Sequence, residues 1–205
     1  MFITFEGLDF SGKSTQAKLL YEYLLSKKIK SILIREPGGT KISEKIREVL
    51  LDKSNKEMLP LTEFLLFSAS RSQLVNEVIK PNLLKKIIVI CDRYYDSSAA
   101  YQGYGGKVDL KNIDFVNNFA SGNLKPDITF FIDISPEEAF KRTEIRGKAG
   151  DRMENKDIAF FNSVYQGFKK IAKQNKKRTL VIDGSQSIEI IHSIIIQKIN
   201  KKIKI

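Results

Sequence analysis

Cysteine is nearly absent from this chain: Cys91 stands alone among 205 residues. No internal disulfide framework can form from it, and nothing resembles a thiolate metal site. His192 is the single histidine. It sits among Ile190, Ile191 and Ile194, far in sequence from any motif, and reads as structural. No apolar run approaches the roughly 18 residues of a membrane span. Asp9 interrupts the apolar start where a signal peptide would need to continue. These absences point to a cytoplasmic protein without a membrane partner. What is present is ordinary: 42% hydrophobic content is enough to build one domain over residues 1–205.

Acidic residues fall short of basic ones, giving a net charge of +11. Much of the excess lies late, in Lys169, Lys170, Lys173, Lys176, Lys177, Arg178, Lys198, Lys201, Lys202 and Lys204. There it is interleaved with Ile and Asn, where lysine is normally a solvated face. Without a recognition motif such a patch is weak support for nucleic-acid binding, and none is expected.

Five short apolar runs, at 3–6, 31–35, 87–91, 128–132 and 179–182, lack the polar alternation of half-exposed strands. Segments with helical spacing separate them, including 13–27, 43–51, 61–80, 136–146, 157–173 and 188–199. Such alternation predicts an α/β fold: a five-stranded parallel sheet with helices on both faces. Ligands in such folds collect at the carboxyl ends of the strands.

The residues there carry chemistry. After the first strand comes Gly7-Leu8-Asp9-Phe10-Ser11-Gly12-Lys13-Ser14, followed by Thr15. This is a phosphate-cradling loop, G-x-x-x-x-G-K-[ST], whose backbone N–H groups and helix N-terminus face an anion. It predicts nucleoside triphosphate binding, with Lys13 on the terminal phosphates and Ser14 on Mg²⁺. After the second strand stands Arg35-Glu36-Pro37-Gly38-Gly39-Thr40, a rigid turn with two charges at its base. The third strand runs into Asp92-Arg93-Tyr94. Its carboxylate is placed to hold the Mg²⁺ shell, and the adjacent cation suits a second phosphate, as a kinase acceptor site needs.

With Leu65-Leu66-Phe67-Ser68-Ala69-Ser70-Arg71, Ser97-Ser98-Ala99-Ala100-Tyr101-Gln102-Gly103 and Pro126-Asp127, these segments resemble the thymidylate kinase family over nearly the whole chain. The Arg-Glu-Pro-Gly-Gly-Thr hexapeptide is the most specific of them. The resemblance implies a phosphate-loop nucleotide kinase fold and transfer of phosphate from ATP to dTMP with Mg²⁺, by a homodimer. It implies that Phe67 stacks on thymine while Arg71, one turn away on the same helix face, reaches a base carbonyl. It places Ser98, Tyr101 and Gln102 beside base and deoxyribose, and Arg35, Glu36, Pro37 and Arg93 around the acceptor phosphate, with Asp9 approaching the same side. In relatives a cis bond can precede the turn proline. Eukaryotic-type relatives carry an arginine where this loop has Phe10, so the transferring cation is expected from a lid at about 143–154, Arg152 first and Arg146 second. Leu61, Phe64, Leu65 and Phe115 would suit a dimer face, and core packing accounts for them equally well. Another phosphate-loop nucleotide or nucleoside kinase stays open, as does, further behind, an ATP-sensing nucleic-acid-binding module, whereas a GTPase is excluded because Asn155-Lys156-Asp157-Ile158 lacks the guanine-reading spacing.

Overall fold

The five apolar runs form five parallel strands: β1 (Phe2–Glu6), β2 (Ser31–Arg35), β3 (Ile88–Asp92), β4 (Ile128–Asp133) and β5 (Thr179–Asp183). The computed structural model describes residues 1–146, 150–153 and 156–203, with Ile145 and Arg146 described by backbone alone. The strand order is β2-β3-β1-β4-β5. β1 therefore lies at the centre, with Phe5 opposite Asp92 of β3 and Phe130 of β4. The chain leaves β1 toward one edge and later returns to the other, so a crevice opens at the strand ends beside β1.

Three strands run past their apolar stretch to end on an aspartate, Asp92, Asp133 or Asp183, because the backbone ladder continues one residue further. Ile3, Phe5, Ile90, Phe130 and Ile182 pack on one face beneath α1 (Lys13–Ser26) and α9 (Ile188–Ile203). Phe2, Val89 and Cys91 turn to the other face and meet Leu74, Val75 and Ile79. Each fully buried side chain of this size contributes roughly 1.5–3 kcal/mol. Burial on both faces explains why β1 shows no polar alternation.

The remaining helices are α2 (Lys41–Leu51), α3 (Pro60–Leu74), α4 (Lys80–Leu84), α5 (Tyr95–Ser98), α6 (Leu110–Ser121), α7 (Pro136–Arg146) and α8 (Ile158–Gln174). Sequence spacing reads 61–80 as one helix. The structure inserts a π-helical turn, Val75–Ile79, before α4. Pro81 lacks an N–H and crowds the carbonyl four residues back, and a widened turn just upstream accommodates both defects. A second π-helical stretch, Ala99–Gly105, continues α5. It packs against α8, where Gly167 admits the Tyr104 ring; a Cβ there would lie 2.7 Å from it.

Among the described residues no helix is long and apolar enough to cross a membrane. Phe64 is wholly buried in the core, so core packing rather than a dimer face accounts for it. Leu61, Leu65 and Phe115 are exposed, as is Phe119.

Candidate active site

The phosphate loop follows β1 directly. Gly7 takes φ +145°, and a Cβ there would stand 2.6 Å from the Ile132 carbonyl oxygen, so only glycine lets the loop leave the sheet here. Phe10 and Gly12 also adopt positive φ, at 63° and 91°. Leu8 and Ser11 are buried beneath the loop, whereas Ser14 and Thr15 face outward at the start of α1. Lys13 Nζ donates to the Leu8 carbonyl at 3.3 Å and lies 3.5 Å from Asp9 Oδ1. Burial, then the nearby Arg93 charge, lowers its pKa.

β3 delivers the next residues. Asp92 receives the Ser14 hydroxyl on Oδ2, while its Oδ1 is buried with no hydrogen-bond partner among the described residues. Arg93 turns at φ 69°, and its guanidinium crosses back to β1 and the loop. It donates to Asp9 Oδ1 at 2.5 Å, to the Gly7 carbonyl at 3.0 Å and to Ser97 Oγ at 3.0 Å. The Tyr101 hydroxyl donates to Asp9 Oδ2 at 2.8 Å. Burial alone would raise the Asp9 pKa, but Arg93 and Lys13 outweigh it and hold the carboxyl below its ordinary range.

Glu6, at the end of β1, is almost fully buried and lies outside every motif. Its Oε1 accepts from the Tyr94 backbone N–H at 2.8 Å and its Oε2 from the Ser97 hydroxyl at 2.5 Å. It thus braces both neighbours of the Arg93 turn. Burial, reinforced by the Asp96 charge, pushes its pKa to about 8.

Beyond these residues opens a cavity of about 350 Å³. Its wall includes Asp9, Lys13, Ser14, Arg35, Glu36, Pro37, Phe67, Arg71, Asp92, Arg93, Ser98, Tyr101 and Gln102, so residues from every motif meet in one space. Phe67 is half-buried with its ring on this wall. Arg71 is 1% exposed and held on three sides, by Glu36 at 2.8 Å, Asn117 at 2.7 Å and Ser98 at 2.9 Å. Burial raises the Glu36 pKa against the pull of Arg71. The Glu36–Pro37 bond is cis. Arg35 forks onto both oxygens of Glu44 at 2.8 and 3.0 Å, and this hydrogen bonding lowers the Glu44 pKa.

Sequence reasoning missed Glu6, Arg47, Glu63 and Asn117, and placed Asp151 and Met153 only within the lid. Arg47, Asp151 and Met153 line the cavity, and Arg47 donates to the Pro37 carbonyl at 2.9 Å. Arg47 lies on the same exposed-looking helix as Glu44, three residues on, the one local sign that it faces the hexapeptide. Asn117 and Glu63 carry no local signal, because their partners are distant in sequence. The lid arginines fare differently. Arg146 has its side chain outside the described residues. Arg152 is buried, 2.6 Å from Glu63 and with Nε on the Leu50 carbonyl at 2.8 Å, rather than extended over the loop.

Among the described residues the wall carries five cations (Lys13, Arg35, Arg47, Arg71, Arg93) against four carboxylates (Asp9, Glu36, Asp92, Asp151), a surface suited to a polyanion. Among the described residues no three His, Cys, Asp or Glu side chains gather as a metal cage. A hydroxyl beside one carboxylate with a free buried oxygen is instead the donor set Mg²⁺ takes when phosphates complete its shell, so Ser14 and Asp92 fit that ion.

The model of the family described as thymidylate kinase matches residues 5–195. The chain is 44% identical over 203 residues to a thymidylate kinase of Caldanaerobacter subterraneus subsp. tengcongensis, covering 99% of this chain and 96% of that one. It is 49% identical over 191 residues to a thymidylate kinase of Exiguobacterium, covering 93% and 90%. The crystal structure of thymidylate kinase from Ehrlichia chaffeensis superposes with a TM-score of 0.80 at 39% identity, over 98% of both chains. With a phosphate loop and an arginine-lined cavity meeting beside its central strand, this chain belongs to the thymidylate kinase family.

Proposed function

We propose that the protein transfers the γ-phosphoryl group of ATP to the phosphate of dTMP, giving ADP and dTDP. One observation carries this reading beside the family match: the phosphate loop and the Phe67–Arg71–Tyr101 group line the same cavity. ATP phosphates would lie on the Gly7–Thr15 loop, with Lys13 on the transferred group. Ser14 and Asp92 would hold Mg²⁺, which would supply positive charge to offset that of the phosphates.

The acceptor is a phosphate oxygen already ionised at neutral pH, so transfer needs alignment rather than a general base. Arg93, with Arg35 and Arg47 nearby, grips the acceptor phosphate, the fork geometry of arginine matching its oxygens. Asp9 stays ionised and fixes Arg93. Phe67 stacks on the thymine and Arg71 meets a base carbonyl, beside Ser98 and Gln102. Tyr101 crowds the sugar where a ribose would carry its 2′-hydroxyl, a selection by exclusion. Arg146 takes the part of lid cation. The buried thiol of Cys91 accords with a cytoplasmic setting, and the exposed Leu61, Leu65, Phe115 and Phe119 with a homodimer.

ADP release with Mg²⁺-ATP, measured in parallel on dTMP, dUMP, UMP, dCMP and dGMP, tests the assignment. Fast turnover on dTMP with weak turnover on dUMP is expected. Preference for another monophosphate would overturn the base-pocket assignment, and ADP formation independent of acceptor would overturn the kinase reading.

A further inference from the structure

Glu63, in the first turn of α3, is 5% exposed and uses both carboxylate oxygens. Oε2 lies 2.6 Å from Arg152 Nη1, and Oε1 accepts from Gln102 Nε2 at 2.8 Å. Arg152 is anchored again at the end of α2, through Nε on the Leu50 carbonyl at 2.8 Å. Its two neighbours, Asp151 and Met153, line the acceptor cavity, as does Gln102. One buried carboxylate therefore joins the lid segment around Arg152 to the π-helical wall that carries Tyr101.

Withdrawing Arg152 toward a phosphoryl group would leave Glu63 buried without its counter-charge, which is strongly unfavourable. We propose that Glu63 is a positioning residue of the acceptor site and Arg152 its fixed counter-ion, the pair holding Asp151, Met153 and Gln102 as one wall of the pocket, rather than Arg152 being the cation that follows the transferred group. This inference rests on the dTMP kinase reading. It separates two kinetic signatures. Loss of a transfer cation lowers kcat, whereas loss of a wall that binds ground and transition states alike raises KM for the acceptor.

The test compares wild type with Glu63→Gln, Arg152→Met and the combined variant, by thermal melting and by kcat, KM for the nucleoside monophosphate and KM for ATP. The combined variant leaves no lone buried charge, and its glutamine oxygen still accepts from Gln102. It is expected to melt within about 5 °C of wild type. Its KM for dTMP should rise roughly tenfold, with kcat reduced by no more than about threefold and KM for ATP unmoved. An unchanged KM for dTMP would reduce the pair to a structural brace and overturn the proposal. A fall in kcat of about a hundredfold with KM intact would also overturn it, returning Arg152 to the transfer step. If the combined variant does not fold, Arg152→Lys gives the same readout, because it keeps the charge and loses the Leu50 bond. If wild type prefers another monophosphate, only the dTMP assignment falls; the KM shift measured on that acceptor still decides the role of the pair.

Discussion

Lys13 and Glu6 lie seven positions apart and test different properties of the same site. Lys13 is buried against the loop it serves, with its ammonium near Asp9. Under the proposed reaction its charge matters most as the phosphoryl group moves. Lys13→Ala should lower kcat by roughly 10²–10³ while KM for dTMP changes little, as steady-state assays would show. Glu6 tests proton linkage. Its carboxyl is shifted from an ordinary value of 4.5 to about 8 by burial and by Asp96. The unfolded chain releases this proton near pH 4.5 while the folded protein retains it to about pH 8. The stabilisation is therefore complete below pH 4.5 and declines as pH rises to 8. Glu6→Gln retains both contacts, its carbonyl accepting from Tyr94 N–H and its amide meeting Ser97 Oγ, but has no proton to lose. Its melting temperature relative to wild type should rise between pH 5 and pH 8; a constant difference across that range would refute the linkage.

At the scale of elements, the contact between α8 and the second π-helical stretch is the most confined. A Cβ at Gly167 would meet Tyr104 side-chain atoms at 2.7 and 2.8 Å, closer than such atoms approach. Gly167→Ala should destabilise the fold by about 1–3 kcal/mol, read from denaturant unfolding. The displaced stretch carries Tyr101, so KM for dTMP should rise too. This element also marks where sequence reading stops. β1, β3 and β4 were legible because burial on both faces leaves unbroken apolar runs, the half-exposed edge strands β2 and β5 by short apolar runs of their own, and the phosphate loop, the hexapeptide and Asp92-Arg93 as local motifs. The π-helical turns were not, because widening by one residue leaves no mark in a 3.6-residue pattern; only Pro81 hinted at the first. α6 escaped because Phe115 and Phe119 face outward and blur its apolar stripe. The engagement of Arg152 was illegible for a related reason. Composition reveals a cation near the lid, but its partner Glu63 is 89 positions away, and only the fold shows that its charge is already engaged.

For the whole molecule, the exposed Leu61, Leu65, Phe115 and Phe119 are the feature a single copy leaves unexplained. Such apolar exposure marks an interaction surface when it is contiguous. Phe115→Glu combined with Phe119→Glu should convert a dimer to monomer in sedimentation equilibrium without changing the far-ultraviolet circular dichroism. A wild-type chain that sediments as a monomer would dismiss the homodimer reading.

The central place of β1 has a consequence in time as well as in space. Its first backbone N–H is held by Asp127, 125 positions later in the chain, and its two neighbouring strands are β3 and β4. Pairing this remote in sequence makes folding slow, since chain closure must precede the contacts that reward it. On the ribosome, at roughly 5–20 residues per second, the strand that carries the phosphate loop is the first made. It waits on the order of ten seconds for both its neighbours, so nascent chains should acquire nucleotide-dependent protease resistance only after β4 has left the exit tunnel.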